Sequence, residues 1–202
     1  MTAPETLIHA RDLSVGYRRS AAARVPDLDV SAGSVSHVTG PNGSGKTALL
    51  KTLAGLLRPI SGRLEHRLGR GFRGAVYVHS TPYLFSGSVR RNLSLARPSR
   101  QHLDAVAATF GLSLLLERDA ATLSYGEQRR VALARAIACR PHVLLVDEPE
   151  GGLDADALAA WQSCMVRAIE DRDTALVVAT HAPVGFDGIP VREIRLSRMD
   201  RT

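Results

Sequence analysis

The segment from Gly40 to Thr47 carries residue types at the spacing that phosphate binding requires. Its sequence, Gly-Pro-Asn-Gly-Ser-Gly-Lys-Thr, fits the P-loop pattern GxxxxGK[ST]. Glycines let backbone N–H groups turn inward around phosphate oxygens, and the N-terminus of the following helix adds the positive end of its dipole. Lys46 would reach the β- and γ-phosphates, and the Thr47 hydroxyl can ligate Mg²⁺. A plain glycine turn is the alternative, but it does not explain why one of only two lysines in the chain stands here.

Two adjacent carboxylates end an apolar run later in the chain, His142-Val-Leu-Leu-Val-Asp147-Glu148-Pro149. In an open parallel sheet, ligands bind beyond the carboxyl ends of the strands. Asp147 is therefore predicted to face the same crevice as the P-loop and to ligate Mg²⁺. Glu148 is predicted to face a water that attacks the γ-phosphate. Alone, such a strand end is more often only solvated, but the P-loop earlier in the chain favours the catalytic interpretation.

The segment Leu123-Ser-Tyr-Gly-Glu-Gln128 opens a predicted helix. Ser124 and Glu127 have the S-x-x-E spacing of a capping box, so both can simply cap that helix. A capped helix N-terminus with Gly126 in its first turn is also a ready binding site for an anion. The residues themselves leave both roles open.

The elements that must position these residues follow from hydrophobic patterning. Continuous apolar strands alternate with amphipathic helices, which is typical of a parallel α/β sheet covered on both faces. The predicted strands span residues 35–39, 62–68, 75–78, 143–146, 175–179 and 191–196. The predicted helices span residues 88–95, 101–110, 124–138 and 156–169, besides one that starts at Lys46 and stops before Pro59. The mostly helical stretch 82–138 interrupts the alternation and is interpreted as an inserted subdomain.

Composition limits the class of protein. The 202 residues are 45% apolar and 23% charged, which is ordinary for one globular domain. The net charge of +6 comes from dispersed arginines without a basic cluster, so nucleic-acid binding is not expected. The apolar runs are far shorter than the ~20 residues that span a bilayer, and the N-terminus lacks the pattern of a secretion signal. Cys139 and Cys164 match no metal or redox spacing, which favours buried, inert thiols in a cytosolic protein.

Taken in order, Gly40–Thr47, Leu123–Gln128 and Val143–Pro149 resemble the Walker A, signature and Walker B motifs of ATP-binding cassette (ABC) ATPases. The resemblance covers nearly the whole chain, and the Leu-Ser-x-Gly-Glu-Gln signature separates this family from other P-loop ATPases. It implies an α/β P-loop NTPase core with a mostly parallel sheet, antiparallel N-terminal strands and an inserted helical subdomain. Residues 1–79 and 139–202 would form the ATP-binding core, and residues 80–138 the helical signature subdomain.

The resemblance also implies roles for single residues. Tyr17 matches the aromatic residue that stacks on adenine, Asp154 the D-loop aspartate that bears on the opposing subunit, and His181 the switch histidine that contacts the γ-phosphate. Packing is the alternative for Tyr17, and N-capping of the next helix is the alternative for Asp154. The expected catalytic residues are Lys46, Glu148 and His181, and the expected Mg²⁺ ligands are Thr47 and Asp147. The expected nucleotide contacts are Tyr17, Gly40, Pro41, Asn42, Gly43, Ser44, Gly45, Lys46, Thr47, Ala48, Ser124, Gly126, Glu127 and Asp154.

Two features depart from the family pattern. Residues 77–85, Tyr-Val-His-Ser-Thr-Pro-Tyr-Leu-Phe, align with the Q-loop segment, but Ser80 stands where the family has a glutamine. In the family that glutamine helps to hold Mg²⁺ and water and relays ATP binding to the transport subunits, and a serine is too short for the same reach. The stretch 117–122 lacks the glycine-containing acidic loop of exporter cassettes, although residues 85–93 look exporter-like, so the subtype stays open.

The resemblance therefore predicts an ATPase that binds ATP and Mg²⁺ and works as a head-to-tail dimer, with each ATP between the P-loop of one subunit and Ser124–Gly126 of the other. Its expected role is to power transport through a separate transmembrane permease, peripherally on the cytoplasmic face of the cell membrane. A soluble ABC ATPase of cluster assembly, translation or repair is one alternative. The single cassette without a coiled-coil insertion disfavours the translation and repair types. A regulatory cassette that hydrolyses ATP weakly is the other alternative, and only Ser80 motivates it.

Overall fold

The structure, a computed structural model, describes residues 5–17, 20–68, 74–171, 174–181, 185–186 and 188–198. The strands are β1 (Thr6–Tyr17), β2 (Ser20–Arg24), β3 (Leu28–Ser31), β4 (Val35–Thr39), β5 (Ser61–His66), β6 (Ala75–Val78), β7 (Val143–Asp147), β8 (Ala175–Ala179) and β9 (Val191–Arg195). The helices are α1 (Lys46–Leu53), α2 (Val89–Leu93), α3 (Arg100–Thr109), α4 (Tyr125–Ala138) and α5 (Ala155–Glu170), with 3-10 turns at Ser94–Ala96, Ser113–Leu115 and Ala120–Thr122. Every strand and helix predicted from the patterning is present. The helix predicted over 88–95 is split into α2 and a 3-10 turn, and the strand predicted over 62–68 ends at His66. The helix predicted to continue from Lys46 until Pro59 ends at Leu53, because Gly55 has a left-handed backbone with φ +74°.

The phosphate-binding segment leaves the carboxyl edge of a parallel sheet. The strand order is β6-β7-β8-β4-β9, and every neighbouring pair is parallel. β7 and β8 are buried along their whole length, because both faces of such a sheet are covered. Only β8 separates β4 from β7, so the loop after β4 and Asp147 at the end of β7 lie at the same edge of the sheet.

An antiparallel sheet packs against the parallel one, as the family resemblance implies. Its strand β1 pairs with β2, β3 and β5. The apolar core between the sheets contains Leu49, Leu50 and Leu53 of α1 together with Val15 of β1 and Leu145 of β7. Burying one leucine side chain stabilises a fold by roughly 1.5–3 kcal/mol, so these contacts hold α1 firmly between the sheets. The position of the P-loop, which leads into α1, follows from this packing.

The other helices share a second apolar core with the opposite face of the parallel sheet. This core joins Leu93 of α2, Val131 of α4, Leu144 of β7 and Trp161 of α5. Of the face predicted for α5, Trp161, Met165 and Ile169 are buried, and Leu158 packs against them partly buried. The predicted boundaries between the ATP-binding core and the helical subdomain, at residues 79/80 and 138/139, stay a prediction. The packing does not separate the two parts, because α2 and α4 belong to the same apolar core as the sheet.

Cys139 and Cys164 are free thiols, each half-buried rather than fully buried. Burial raises the pKa of both thiols, which lowers the fraction of reactive thiolate. Within the described ranges, none of the helices combines the length and the hydropathy that crossing a bilayer requires.

Candidate active site

The loop between β4 and α1 has the backbone geometry of a phosphate cradle. Gly40 has φ +146°, and a β-carbon there would stand 2.5 Å from the carbonyl oxygen of Leu196. Gly45 has φ +91°, a left-handed conformation that favours glycine, directly before the first helical residue. These two glycines turn the chain so that α1 begins at Lys46 with its N-terminus toward the loop.

Hydrogen-bond donors at the start of α1 are the groups that phosphate oxygens need. The Leu49 N–H donates to the Gly45 oxygen at 2.8 Å, so the N–H groups of residues 45–48 have no acceptor within the helix. Ala48 can offer a phosphate only its backbone N–H, because its side chain lies in the core between the sheets. The Ser44 hydroxyl is buried and has no hydrogen-bond partner among the described residues. Free donors around a buried hydroxyl fit a phosphate group.

The Lys46 ammonium lies across the mouth of the loop. Nζ donates to the carbonyl oxygens of Gly40 at 2.7 Å and Pro41 at 3.4 Å, and it lies 3.2 Å from Nε2 of His181. The same Nε2 lies 3.0 Å from Oδ1 of Asn42. Two residues predicted from distant parts of the chain to contact the γ-phosphate are therefore in direct contact with each other.

The two predicted Mg²⁺ ligands also meet. The Thr47 hydroxyl donates to Oδ2 of Asp147 at 2.7 Å, and the Tyr77 hydroxyl donates to the same oxygen at 3.2 Å. Asp147 is buried, so these donors offset the cost of removing its carboxylate from water. Hydroxyl and carboxylate oxygens are the hard ligands that Mg²⁺ prefers, so this donor set fits the ion.

Tyr77 is absent from the candidate set, and the sheet register explains its position. It pairs with Leu145 of β7, two residues before Asp147, so Tyr77 and Asp147 project from the same face. Burial and the Asp147 carboxylate raise the pKa of Tyr77, so its hydroxyl stays protonated as a donor. Side-chain alternation would identify Tyr77 once β6 and β7 are known to be neighbours.

Glu148, predicted to face the attacking water, extends from a turn at the edge of the site. Its φ is +48°, which is uncommon for a residue other than glycine. Its N–H donates to the Ala179 oxygen at 2.7 Å. Its carboxylate is 45% exposed, with Oε1 4.0 Å from Nε2 of His181. The carboxylate therefore lies next to the Lys46–His181 pair, where solvent water can reach it.

A capping box orders the signature segment at the start of α4. The Ser124 hydroxyl accepts from the Glu127 N–H at 3.3 Å, and the Glu127 carboxylate accepts from the Ser124 N–H at 2.7 Å. This backbone hydrogen bond lowers the pKa of Glu127. A β-carbon on Gly126 would stand 3.0 Å from the Gly152 oxygen. In the part of the chain that the structure describes, no hydrogen bond or ion pair joins Ser124, Gly126 or Glu127 to the P-loop.

Tyr17 and Asp154 lie apart from the contacts around Lys46. Tyr17 ends β1 and is 46% exposed, with Lys51 Nζ 5.9 Å from the centre of its ring. Asp154 caps α5, since its carboxylate accepts from the Ala157 N–H at 2.8 Å. The N-cap interpretation of Asp154 is confirmed. Two roles stay predictions: stacking of Tyr17 on adenine, and contact of Asp154 with an opposing subunit.

Ser80 is held mainly through its backbone. Its carbonyl accepts from the Tyr125 hydroxyl at 3.2 Å, and its own hydroxyl lies 3.5 Å from Nδ1 of His79. That nitrogen accepts from the Thr81 N–H at 2.9 Å, so the imidazole is bound within its own loop. Among the described contacts, none joins the side chain of residue 79 or 80 to the Mg²⁺ ligand pair.

Known proteins are similar to this chain in sequence and in fold. A family model described as "ABC transporter" matches residues 24–151. The chain is 36% identical over 181 residues to the "Zinc import ATP-binding protein ZnuC" of Alkalilimnicola ehrlichii, across 89% of this chain and 70% of that protein. It is 35% identical over 176 residues to the "Cytochrome c biogenesis ATP-binding export protein CcmA" of Novosphingobium aromaticivorans, across 85% and 87%. A solved "Structure of ATP binding subunit of ABC transporter" has a TM-score of 0.77 at 25% identity, covering 87% of this chain and 80% of that one.

A glycine loop between a parallel strand and a helix, facing a carboxylate at the end of a second strand, defines an α/β P-loop NTPase. The family match and the sequence identities establish the family within this class: the chain belongs to the ABC transporter family. It is an ATP-binding protein and an ATPase, and its ATP hydrolysis powers transport.

Proposed function

We propose that the chain is the nucleotide-binding subunit of a transporter with a separate membrane permease, and that two such subunits act head to tail. The observation that supports the dimer is that the P-loop and Ser124–Gly126, the two parts of the expected ATP site, are not joined by a described hydrogen bond or ion pair within one chain. Lys46 and His181 contact each other, whereas Ser124 is engaged in capping α4 away from the P-loop. A second subunit that supplies Ser124–Gly126 would add a capped helix N-terminus to the γ-phosphate, which favours negative charge.

Catalysis in this proposal is positioning and charge stabilisation around the transferred phosphoryl group. Lys46 and the free N–H groups of α1 bind the phosphate oxygens. Thr47 and Asp147 would hold Mg²⁺, which neutralises charge on the β- and γ-phosphates when bound. Glu148 accepts a proton from the attacking water, and His181 contacts the γ-phosphate.

An apolar groove between β6 and α4 supports docking of a permease segment. Its volume is about 410 Å³, and Tyr83 and Phe85 line it with 68% and 46% exposure. The two rings pack edge to face at 5.4 Å, and the Arg135 guanidinium covers Phe85 at 5.2 Å. Exposed aromatic side chains with a neighbouring arginine are typical of protein interfaces. Docking there would place the chain peripherally on the cytoplasmic face of the membrane, without nucleic acid as a partner.

The dimer is tested with Glu148→Gln, which retains the shape of the side chain and removes the proton acceptor. Multi-angle light scattering with ATP and Mg²⁺ should show a dimer, and with ADP a monomer. Adding Ser124→Asp retains the N-cap but sets a carboxylate against the γ-phosphate, so it should prevent the dimer. The matched control is Ser113→Asp, which changes an exposed serine of a 3-10 turn. This control should still form the dimer. A monomer that retains bound ATP, or a dimer that tolerates Ser124→Asp, would contradict the head-to-tail proposal.

A further inference from the structure

Arg129 is a fully buried arginine that binds three backbone carbonyls beside the active site. It lies on α4 with 0% exposure. Its guanidinium donates to the carbonyl oxygens of His79, of Asp147 at 2.8 Å and of Glu148 at 2.7 Å. One side chain therefore joins the segments that follow β6 and β7 to the helix that begins at the signature segment.

The charge of Arg129 is stabilised by carbonyl dipoles. Burial lowers the pKa of its guanidinium, and the nearby carboxylates of Asp147, Glu150 and Glu148 act in the opposite direction. Apolar residues often replace buried ionic groups without loss of stability, so a demand for stability alone does not explain an arginine here. What distinguishes arginine is the planar fork that reaches three acceptors at once.

One of the three carbonyls belongs to the residue with the unusual backbone. Glu148 has φ +48°, and such conformations persist when neighbouring contacts over-determine them. Its N–H is bound by the Ala179 oxygen at 2.7 Å, and its carbonyl is bound by Arg129. The Gly151 N–H also donates to this carbonyl at 3.1 Å, so three contacts hold the main chain from which the Glu148 carboxylate extends.

Tyr125 lies one helical turn before Arg129 and makes a parallel contact. Its hydroxyl donates to the Ser80 carbonyl at 3.2 Å, so the i, i+4 pair on α4 binds the consecutive carbonyls of residues 79 and 80. Its ring lies against Gly152, where a β-carbon would stand 2.4 Å from Cε1 of the tyrosine. The segment that carries Ser80 is thus bound to α4 through its main chain.

We propose that Arg129 is a positioning residue that holds Glu148 in its catalytic orientation and ties that orientation to α4. Movement of the signature helix then acts on Glu148 through the carbonyls of residues 79, 147 and 148, with no side chain at position 80 required. This inference rests on the proposed role of Glu148 in proton transfer.

The test measures steady-state ATPase activity of Arg129→Lys and Arg129→Gln, with Arg130→Gln as the matched control. Arg130 is the next residue of α4, and its guanidinium binds the Phe110 carbonyl at 3.3 Å. Both Arg129 variants should lose about tenfold or more in kcat, with Arg129→Lys the milder, while KM and the Kd for ADP change by less than about twofold. Arg130→Gln should retain kcat within about twofold, because the carbonyl that Arg130 binds is that of Phe110 and not one of the three that Arg129 binds.

A double-mutant cycle shows whether Arg129 acts through Glu148. Arg129→Gln should lower the residual single-turnover hydrolysis of Glu148→Gln by less than about twofold, since the group that it positions is already absent. Equal loss in both backgrounds would overturn the proposal. So would an unchanged kcat in both Arg129 variants, or failure of both variants to show a cooperative melting transition, which would make the residue structural. If Glu148→Gln itself retains the parent kcat, the proposed role of Glu148 fails first, and this outcome is distinct from the others.

Discussion

Lys46 and His181 face each other across the mouth of the P-loop, with Nζ 3.2 Å from Nε2. An ammonium can only donate, so this contact requires a lone pair on Nε2 and a proton on Nδ1. The contact of the same Nε2 with Oδ1 of Asn42 at 3.0 Å requires a proton on Nε2 instead. The two contacts therefore require different tautomers of the His181 ring, with the proton on Nδ1 for the contact with Lys46 and on Nε2 for the contact with Asn42.

We expect His181→Ala to lower kcat by about 10²-fold, which is typical for loss of one group that stabilises transition-state charge. The melting temperature should stay near that of the parent protein, because the His181 side chain is 50% exposed. The matched control is His9→Ala, which removes a histidine paired with Asp29 in the antiparallel sheet. Phosphate release measured for both variants checks this, and equal activities would exclude a role for His181 at the γ-phosphate.

Much of the fold follows from short-range patterns in the sequence. β7 and β8 are continuous apolar runs, and α1 and α5 repeat apolar residues at helical spacing. Because carboxyl ends of parallel strands share one edge, the P-loop and Asp147 could be placed together before the sheet was known. The capping roles of Ser124 and Asp154 could also be predicted from residue type.

Other features depend on contacts that patterns do not encode. The insertion of β8 between β7 and β4 is set by long-range packing, so the neighbours of each strand were not predicted. Tyr77 as a partner of Asp147 requires the register of β6 against β7. From the sequence, Arg129 would be interpreted as a solvated arginine of a helix. Its neighbours in the sequence do not indicate that it binds three backbone carbonyls.

Ser80→Gln tests whether position 80 reaches the metal ligands. A glutamine there restores the residue that the family motif has, so it should raise the ATPase rate or lower the Mg²⁺ concentration at half-maximal rate. Ser80→Ala should match the parent protein, since the serine is bound mainly through its carbonyl. The measurement is hydrolysis across a Mg²⁺ titration. If glutamine and alanine both match the parent at every Mg²⁺ concentration, the alignment of residue 80 with the family glutamine is wrong.

The capping box predicts a pH-dependent contribution to stability. The Ser124 N–H lowers the pKa of Glu127, so the stabilisation is complete above the pKa of an unfolded glutamate and is lost as pH falls through the lower folded value. Glu127→Gln retains the shape but removes the charge at the helix N-terminus, at a cost of about 0.3–1 kcal/mol near pH 7. Chemical denaturation should show this difference in the free energy of unfolding between the parent and Glu127→Gln at pH 7. The difference should become smaller as pH falls below about 4. A difference that does not change with pH would contradict the assignment.

The most direct measurement is ATP binding and hydrolysis by Lys46→Met. Lys46 is only 7% exposed, and methionine retains its buried stem while removing the ammonium. Isothermal titration with ATP and Mg²⁺, together with phosphate release, should show that binding or turnover is lost in this variant. Thermal melting should show a cooperative transition, and the control Arg58→Met, an exposed cation beyond α1, should retain activity. Parent-level affinity and turnover in a folded Lys46→Met protein would contradict the assignment of Gly40–Thr47 as the site that binds and hydrolyses ATP.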